Sequence, residues 1–160
     1  MKISRIINNN VVSTCDEEGR EVIVMGRGVG FKAKEGSTID EDKIEKVFRL
    51  DSQNTMDKFK ELLVNLPMEH VQISAEIISY AKEVLNRPIN PNVYITLTDH
   101  INFALERFKQ KMMFSNPLIR EVRSFYHAEY LIGEYAIAMI DRDLGIKLPV
   151  DEAASIALHI

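Results

Sequence analysis

Short hydrophobic runs alternate with polar turn residues over roughly the first fifty residues, and a helical period of about 3.6 follows them. In the first stretch, short β-branched runs are separated by turn residues. Lys2 to Ile7 is followed by Asn8-Asn9-Asn10, Val11 to Cys15 by Asp16-Glu17-Glu18-Gly19, and Glu21 to Met25 by a glycine-rich segment. This punctuation predicts a hairpin meander. A fourth strand is expected at Glu45 to Leu50, where Val47-Phe48 interrupts strict alternation while Glu45, Lys46 and Arg49 supply polar positions. The connection from Gly26 to Lys43 is too rich in glycine and charge to read as a core element, and long connections in compact domains are usually functional or disordered.

After Asp51-Ser52-Gln53-Asn54 the apolar spacing predicts six helices. Phe59, Leu62, Leu63 and Leu66 define the first, which Pro67 ends; Ile73, Ile77, Tyr80, Ala81 and Val84 define the second, which runs to Asn86-Arg87-Pro88. Tyr94 to Phe108 carries Ile101, Ala104, Leu105 and Phe108 on one face. Pro117 suits a first turn ahead of Leu118, Val122 and Phe125. Tyr130 to Ile140, with Leu131, Tyr135, Ala138 and Met139, forms a fifth helix ending at Gly145. Pro149 precedes a sixth, whose first-turn Asp151 and Glu152 favour the helix dipole. The expected fold class is α+β: a small four-stranded antiparallel domain at 1–55 followed by an all-α bundle at 56–160.

With 160 residues, 46% hydrophobic and 28% charged, the chain excludes a large multidomain enzyme, a disordered tail and a collagen-like repeat. The net charge of −4 gives no global sign of a nucleic-acid partner. Residues 1–34, however, hold six basic side chains against four acidic ones, so this stretch is locally positive. The single cysteine, Cys15, permits no internal disulfide and no cysteine-based zinc site, which fits a reducing compartment. No stretch resembles a signal peptide or a membrane span, so a cytoplasmic chain without membrane insertion is expected. A unit of about 55 residues buries little surface for its size, and exposed sheet edges favour pairing, so self-association through the sheet is expected.

Three groups of residues carry candidate chemistry. Asn8-Asn9-Asn10 reads simply as a hairpin turn, yet three amides exceed what a turn requires and offer paired donors and acceptors to nucleotide edges. Gly26-Arg27-Gly28-Val29-Gly30-Phe31 lacks the helix and βαβ surroundings of a dinucleotide fingerprint. Arg27 and Phe31 on a glycine frame, with Lys32 and Lys34 beside them, suit unpaired RNA bases; the plainer reading is a flexible connection with Phe31 in the core. Among the four histidines, His70 and His127 read as surface or capping residues. His100 and His159 lie on apolar-faced helices without metal-ligand spacing, so neither a metal nor a cofactor is expected. A lone histidine there is ordinarily a core side chain, but imidazole is also a nucleophile near neutral pH and can carry a phosphoryl group.

Taken together, these segments resemble the BglG/SacY/LicT family of bacterial transcriptional antiterminators. The resemblance rests on Ile7-Asn8-Asn9-Asn10-Val11-Val12, Val24-Met25-Gly26-Arg27-Gly28-Val29-Gly30-Phe31, Ile44-Glu45-Lys46, Ile77-Ile78-Ser79, Leu97-Thr98-Asp99-His100 and Asp151 to His159, in family order along the chain. It implies an RNA-binding co-antiterminator domain that works as a dimer, followed by the first of two phosphotransferase-regulated domains, here ending early. It further implies RNA contacts at Asn10, Gly26, Arg27 and Phe31, with Arg5, Asn8 and Gly28 as neighbours, and phosphorylation at His100 and His159 with Asp99 in support. The partners so implied are a leader mRNA hairpin, a second copy of the chain, and the phosphoryl donors of the sugar phosphotransferase system, a sugar-specific enzyme II and HPr. No enzymatic activity is expected. The alternatives are an acid/base enzyme built on Asp99 and His100, disfavoured because adjacent helical residues do not face each other, and a DNA-binding activator carrying the same kind of helical domain.

Overall fold

The structure, a computed structural model, describes residues 1–112 and 115–160. It divides into two compact units, Met1–Met68 and Glu69–Ile160. The first contains β1 (Ile3–Asn8), β2 (Val11–Cys15), β3 (Glu21–Met25), β4 (Lys46–Phe48) and α1 (Gln53–Leu63). The strands form an antiparallel meander in the order β1-β2-β3-β4, with Val12 opposite Val24 and Ile23 opposite Phe48. β1 is bulged between Ile3 and Arg5 and again between Ile6 and Asn8, which increases its twist.

Both faces of the sheet are covered, and this explains the broken alternation. On one face Ile3, Val12 and Val24 pack with Val29 and Ile39 from the long connection. On the other, Phe48 meets the α1 residue Phe59 edge-on, with ring centroids 5.1 Å apart, while Met56 and Leu63 are buried on the same helix. Consequently Val22 to Met25 are all buried, as a strand sandwiched between two layers requires. Ser52 caps α1 by accepting a hydrogen bond from the Thr55 amide, and Lys60 pairs with Glu21 of β3 at 2.7 Å. α1 therefore belongs to the sheet unit, which extends beyond residue 55.

The connection between β3 and β4 departs from its expected character as a segment outside the core, because it buries Val29 and Ile39. It also lies along β1: the Ile3 amide donates to Ser37 O, Gly36 N donates to Ile3 O, and Ile39 N donates to Met1 O. That part of the β1 edge is thus already paired. In the same unit the Ser13 hydroxyl is buried with no hydrogen-bond partner among the described residues. An unpaired buried hydroxyl costs about 1–3 kcal/mol, so Ser13→Ala is expected to raise the denaturant midpoint of this unit with an unchanged slope.

The second unit packs α2 (Met68–Leu85), α3 (Val93–Lys109), α4 (Ile119–Phe125), α5 (His127–Leu144) and α6 (Asp151–His159) around a core of Ile77, Ile78, Leu97, Ile101, Leu105, Ile132, Ile140 and Ile156. Gly145 ends α5 in the left-handed conformation, its amide donating to Asp141 O. The buried face of α5 differs from the expected one. Tyr130, Ile132, Gly133, Ala136, Met139 and Ile140 face inward, whereas Leu131, Tyr135 and Ala138 are exposed. Leu118 and Phe125 are exposed too, and α4 buries Val122 alone. α5 and α6 approach closely at Gly133, where a side chain would run into the Ala153 carbonyl.

Candidate nucleic-acid interface and histidine pair

At one end of the sheet the asparagine turn and the glycine loop are built as a single piece. The Asn8 side-chain oxygen accepts from the Asn10 amide at 2.8 Å, and its Nδ2 donates to Leu63 O at the end of α1 at 3.1 Å. Asn8 is thereby committed to holding the turn. The Asn10 side-chain oxygen accepts from Gly28 N at 2.9 Å, its carbonyl accepts from Gly26 N, and the Asn9 carbonyl accepts from Gly30 N. The three asparagines therefore position the loop, which is more than a hairpin turn demands.

The loop itself is a chain of turns, with Val29 N donating to Gly26 O and Phe31 N to Gly28 O. Gly26 lies so close to the segment just before β4 that a side chain would strike the Lys43 carbonyl, and Gly28 adopts φ +75°, a conformation glycine takes at little cost. Buried Val29 anchors the middle of the loop, while Arg27 and Phe31, two positions to either side, are exposed. Phe31 is 55% exposed with the Lys32 ammonium 5.3 Å from its ring centroid, which excludes the reading that places this ring in the core. Arg27 is exposed; its amide donates to the Glu45 carboxylate at 2.7 Å, while its guanidinium has no partner among the described residues. The outcome is a rigid frame presenting a guanidinium and an aromatic ring to solvent. Arg5 is placed elsewhere: with Ile6, Ile7, the α1 residues Asp57, Lys60 and Glu61, and Val64 just beyond that helix, it lines a cleft of about 420 Å³.

In the helical unit, His100 on α3 and His159 on α6 come together, with ring centroids 4.9 Å apart at 38°. Nε2 of His100 lies 3.0 Å from a carboxylate oxygen of Glu152, one α6 residue seven positions before His159 and so on the same face of that helix. Asp99 is exposed and makes no hydrogen bond to His100; Glu152 is the carboxylate that does. His100 also borders a cavity of about 270 Å³ whose wall includes Phe103, Arg107, Asn116, Leu148 and Ser155. The start of α6 is fastened there by Asn116, whose amide donates to Asp151 at 2.7 Å and whose Nδ2 donates to Ser155.

Burial lowers the pKa of His159, and the charge of neighbouring His100 lowers it further, against smaller opposing effects of Asp99 and Glu152. Below pH 6.5 the unfolded chain therefore takes up a proton at His159 before the folded one does, and stability falls as pH drops through that range. The expected result is a smaller loss of melting temperature between pH 7.5 and 5.5 in His159→Gln than in the wild type. Of the remaining histidines, His127 is exposed at the start of α5. His70 corrects the surface assignment: it is 4% exposed, with Nδ1 hydrogen-bonded to the Asn102 side-chain oxygen at 2.8 Å.

Comparison with known proteins matches residues 1–57 to the CAT RNA binding domain and residues 75–160 to the PRD domain. All 160 residues align at 48% identity with the transcription antiterminator LicT of Bacillus subtilis (strain 168), covering 58% of that protein, and at 44% identity with the beta-glucoside operon antiterminator of Dickeya chrysanthemi, covering 56%. The crystal structure of GlcT CAT-PRDI superposes with a TM-score of 0.84 at 34% identity, covering 99% of this chain and 94% of that one. The chain belongs to the BglG/SacY/LicT family of antiterminators. It spans a little over half the length of the curated relatives it matches. The members of this family are regulators rather than enzymes, which removes the acid/base alternative on Asp99 and His100, and their order of an RNA-binding sheet before a helical PRD domain agrees with the α+β architecture seen here. Among the described residues no helix is long and apolar enough to cross a membrane.

Proposed function

We propose that this chain is a cytoplasmic transcription antiterminator that binds a leader mRNA hairpin as a dimer of its sheet unit. The single observation that carries this reading is the frame held by Asn10, with Arg27 and Phe31 turned outward from it. Unpaired bases splay out of RNA loops and stack on aromatic and guanidinium planes, and fully paired A-form helices do not offer them. Asn10, Gly26, Arg27, Gly28 and Phe31 form the contact surface and Asn8 braces it, while Arg5, in the cleft beside α1, is a separate candidate contact. Binding stabilises the hairpin that competes with an overlapping terminator, by an amount set by protein concentration relative to Kd, and polymerase continues.

His100 and His159 are the sites at which a sugar-specific enzyme II or HPr places a phosphoryl group. The added charge at a packed α3–α6 contact shifts the population of dimer arrangements, and in this domain the modification is inhibitory. Uptake of the sugar drains the phosphoryl groups and restores RNA binding, so that the operon for using that sugar is read through.

The test is affinity for a leader hairpin carrying an internal loop, measured beside a fully paired RNA of equal length and beside duplex DNA. The looped hairpin is expected to bind at least tenfold more tightly than the paired RNA, which is about 1.4 kcal/mol. Equal affinities for both RNAs overturn the reading, and preference for duplex DNA favours the activator alternative.

A further inference from the structure

We propose that His100 accepts the phosphoryl group at Nδ1, and that Glu152 is the positioning residue that directs the reaction to that atom. This rests on the reading of His100 as a phosphorylation site. A neutral imidazole carries its proton on one ring nitrogen and an in-plane lone pair on the other, and the lone pair attacks phosphorus. A carboxylate only accepts hydrogen bonds, so the 3.0 Å contact with Glu152 places the proton of neutral His100 on Nε2. The lone pair is then on Nδ1, which makes no hydrogen bond among the described residues. The His100 side chain keeps 21% of its surface exposed and borders the 270 Å³ cavity, so the ring is reachable by a donor.

The step balances without a further reactant. The Nδ1 lone pair forms a bond to phosphorus as the phosphorus–nitrogen bond of the donor's phosphohistidine breaks, and that electron pair returns to the donor ring. His100 keeps its Nε2 proton throughout and becomes an imidazolium bearing a phosphoryl group. The Glu152 carboxylate, already bonded to that proton, stabilises the positive ring, much as an aspartate stabilises the imidazolium of a catalytic triad. Asp99, which the family resemblance offers as a supporting residue, makes no hydrogen bond to His100.

The experiment phosphorylates the His159→Ala chain with phosphoenolpyruvate and the purified phosphotransferase proteins, then assigns the modified nitrogen by phosphorus and nitrogen NMR at alkaline pH. Label on Nδ1 of His100 is expected. Glu152→Ala in this background is expected to yield Nε2 product and to slow labelling at least tenfold. Glu152→Gln, whose amide oxygen still accepts from Nε2, is expected to retain the Nδ1 product at a reduced rate, an outcome that mere loss of packing does not produce. Label on Nε2 with Glu152 intact overturns the inference and leaves the proposed function standing. So does the absence of label here when His100→Ala is labelled. Absence of label in both chains overturns the phosphorylation reading itself.

Discussion

Replacing both Arg27 and Phe31 by alanine is expected to weaken binding of the looped leader hairpin by roughly a hundredfold or more, at unchanged melting temperature. A stacked aromatic contributes about 1–3 kcal/mol per base, and a guanidinium that bonds or stacks contributes a similar amount. Together they reach two or more decades, since each decade is about 1.4 kcal/mol. The fold does not depend on either side chain, because the loop is held by Asn10, Gly26 and buried Val29. The Arg27 amide bond to Glu45 survives truncation, being a backbone contact. The single variants separate the two contributions. Arg27→Ala also lowers the salt dependence of binding where the guanidinium meets phosphate, and leaves it unchanged where it stacks. Isothermal titration at two salt concentrations reads both effects.

The largest effect on stability is expected from Phe59→Ala. This ring is completely buried and meets Phe48 edge-on, where truncation typically costs about 3–5 kcal/mol. A unit of 68 residues has little reserve beyond that, given total stabilities of roughly 5–15 kcal/mol. The sheet unit of Phe59→Ala is therefore expected to be largely unfolded at 37 °C, with hairpin binding lost. Hydrogen exchange locates the change: amides of β2 and β3 exchange rapidly in the variant, while those of α3 and α5 remain protected. Protected β-strand amides in Phe59→Ala contradict the placement of α1 as the cover of that face.

Why Phe59 was legible as a helical core residue while its partner was not is a matter of what periodicity encodes. The spacing of Phe59, Leu62, Leu63 and Leu66 specifies an apolar stripe but says nothing about which surface receives it. The strand boundaries were readable because asparagine and glycine mark their turns. The buried character of Val29 and Ile39 was obscured by the surrounding glycine and charge, and only the closeness of the connection to β1 reveals it. α5 is apolar nearly all round, so Leu131, Tyr135 and Ala138 compete with Ile132, Ala136 and Met139 for the inner face on equal terms. Gly133, the close approach to Ala153, decides it.

The candidate sites divide in the same way. Asn10, Gly26, Arg27, Gly28 and Phe31 are legible as candidates because their chemistry is local to two short segments, which the structure joins into one piece. Arg5 and Asn8 lie in the same stretch of sequence, but pairing sends Arg5 to the α1 cleft and uses both ends of the Asn8 amide internally. The pairing of Glu152 with His100 is not legible in the sequence because 52 residues separate them; the spacing of seven between Glu152 and His159 is the one clue. The burial of His70 is hidden for the same reason, its partner Asn102 being 32 positions away.

The most direct measurement of the proposed RNA-contact surface is a map of backbone amide shifts in the labelled chain as the looped hairpin is added. The account predicts that the strongest perturbations fall on Asn10, Arg27, Gly28 and Phe31, with His100 and His159 little affected. Perturbations centred on the helical unit, or on the Arg5 cleft with the glycine loop unmoved, contradict it.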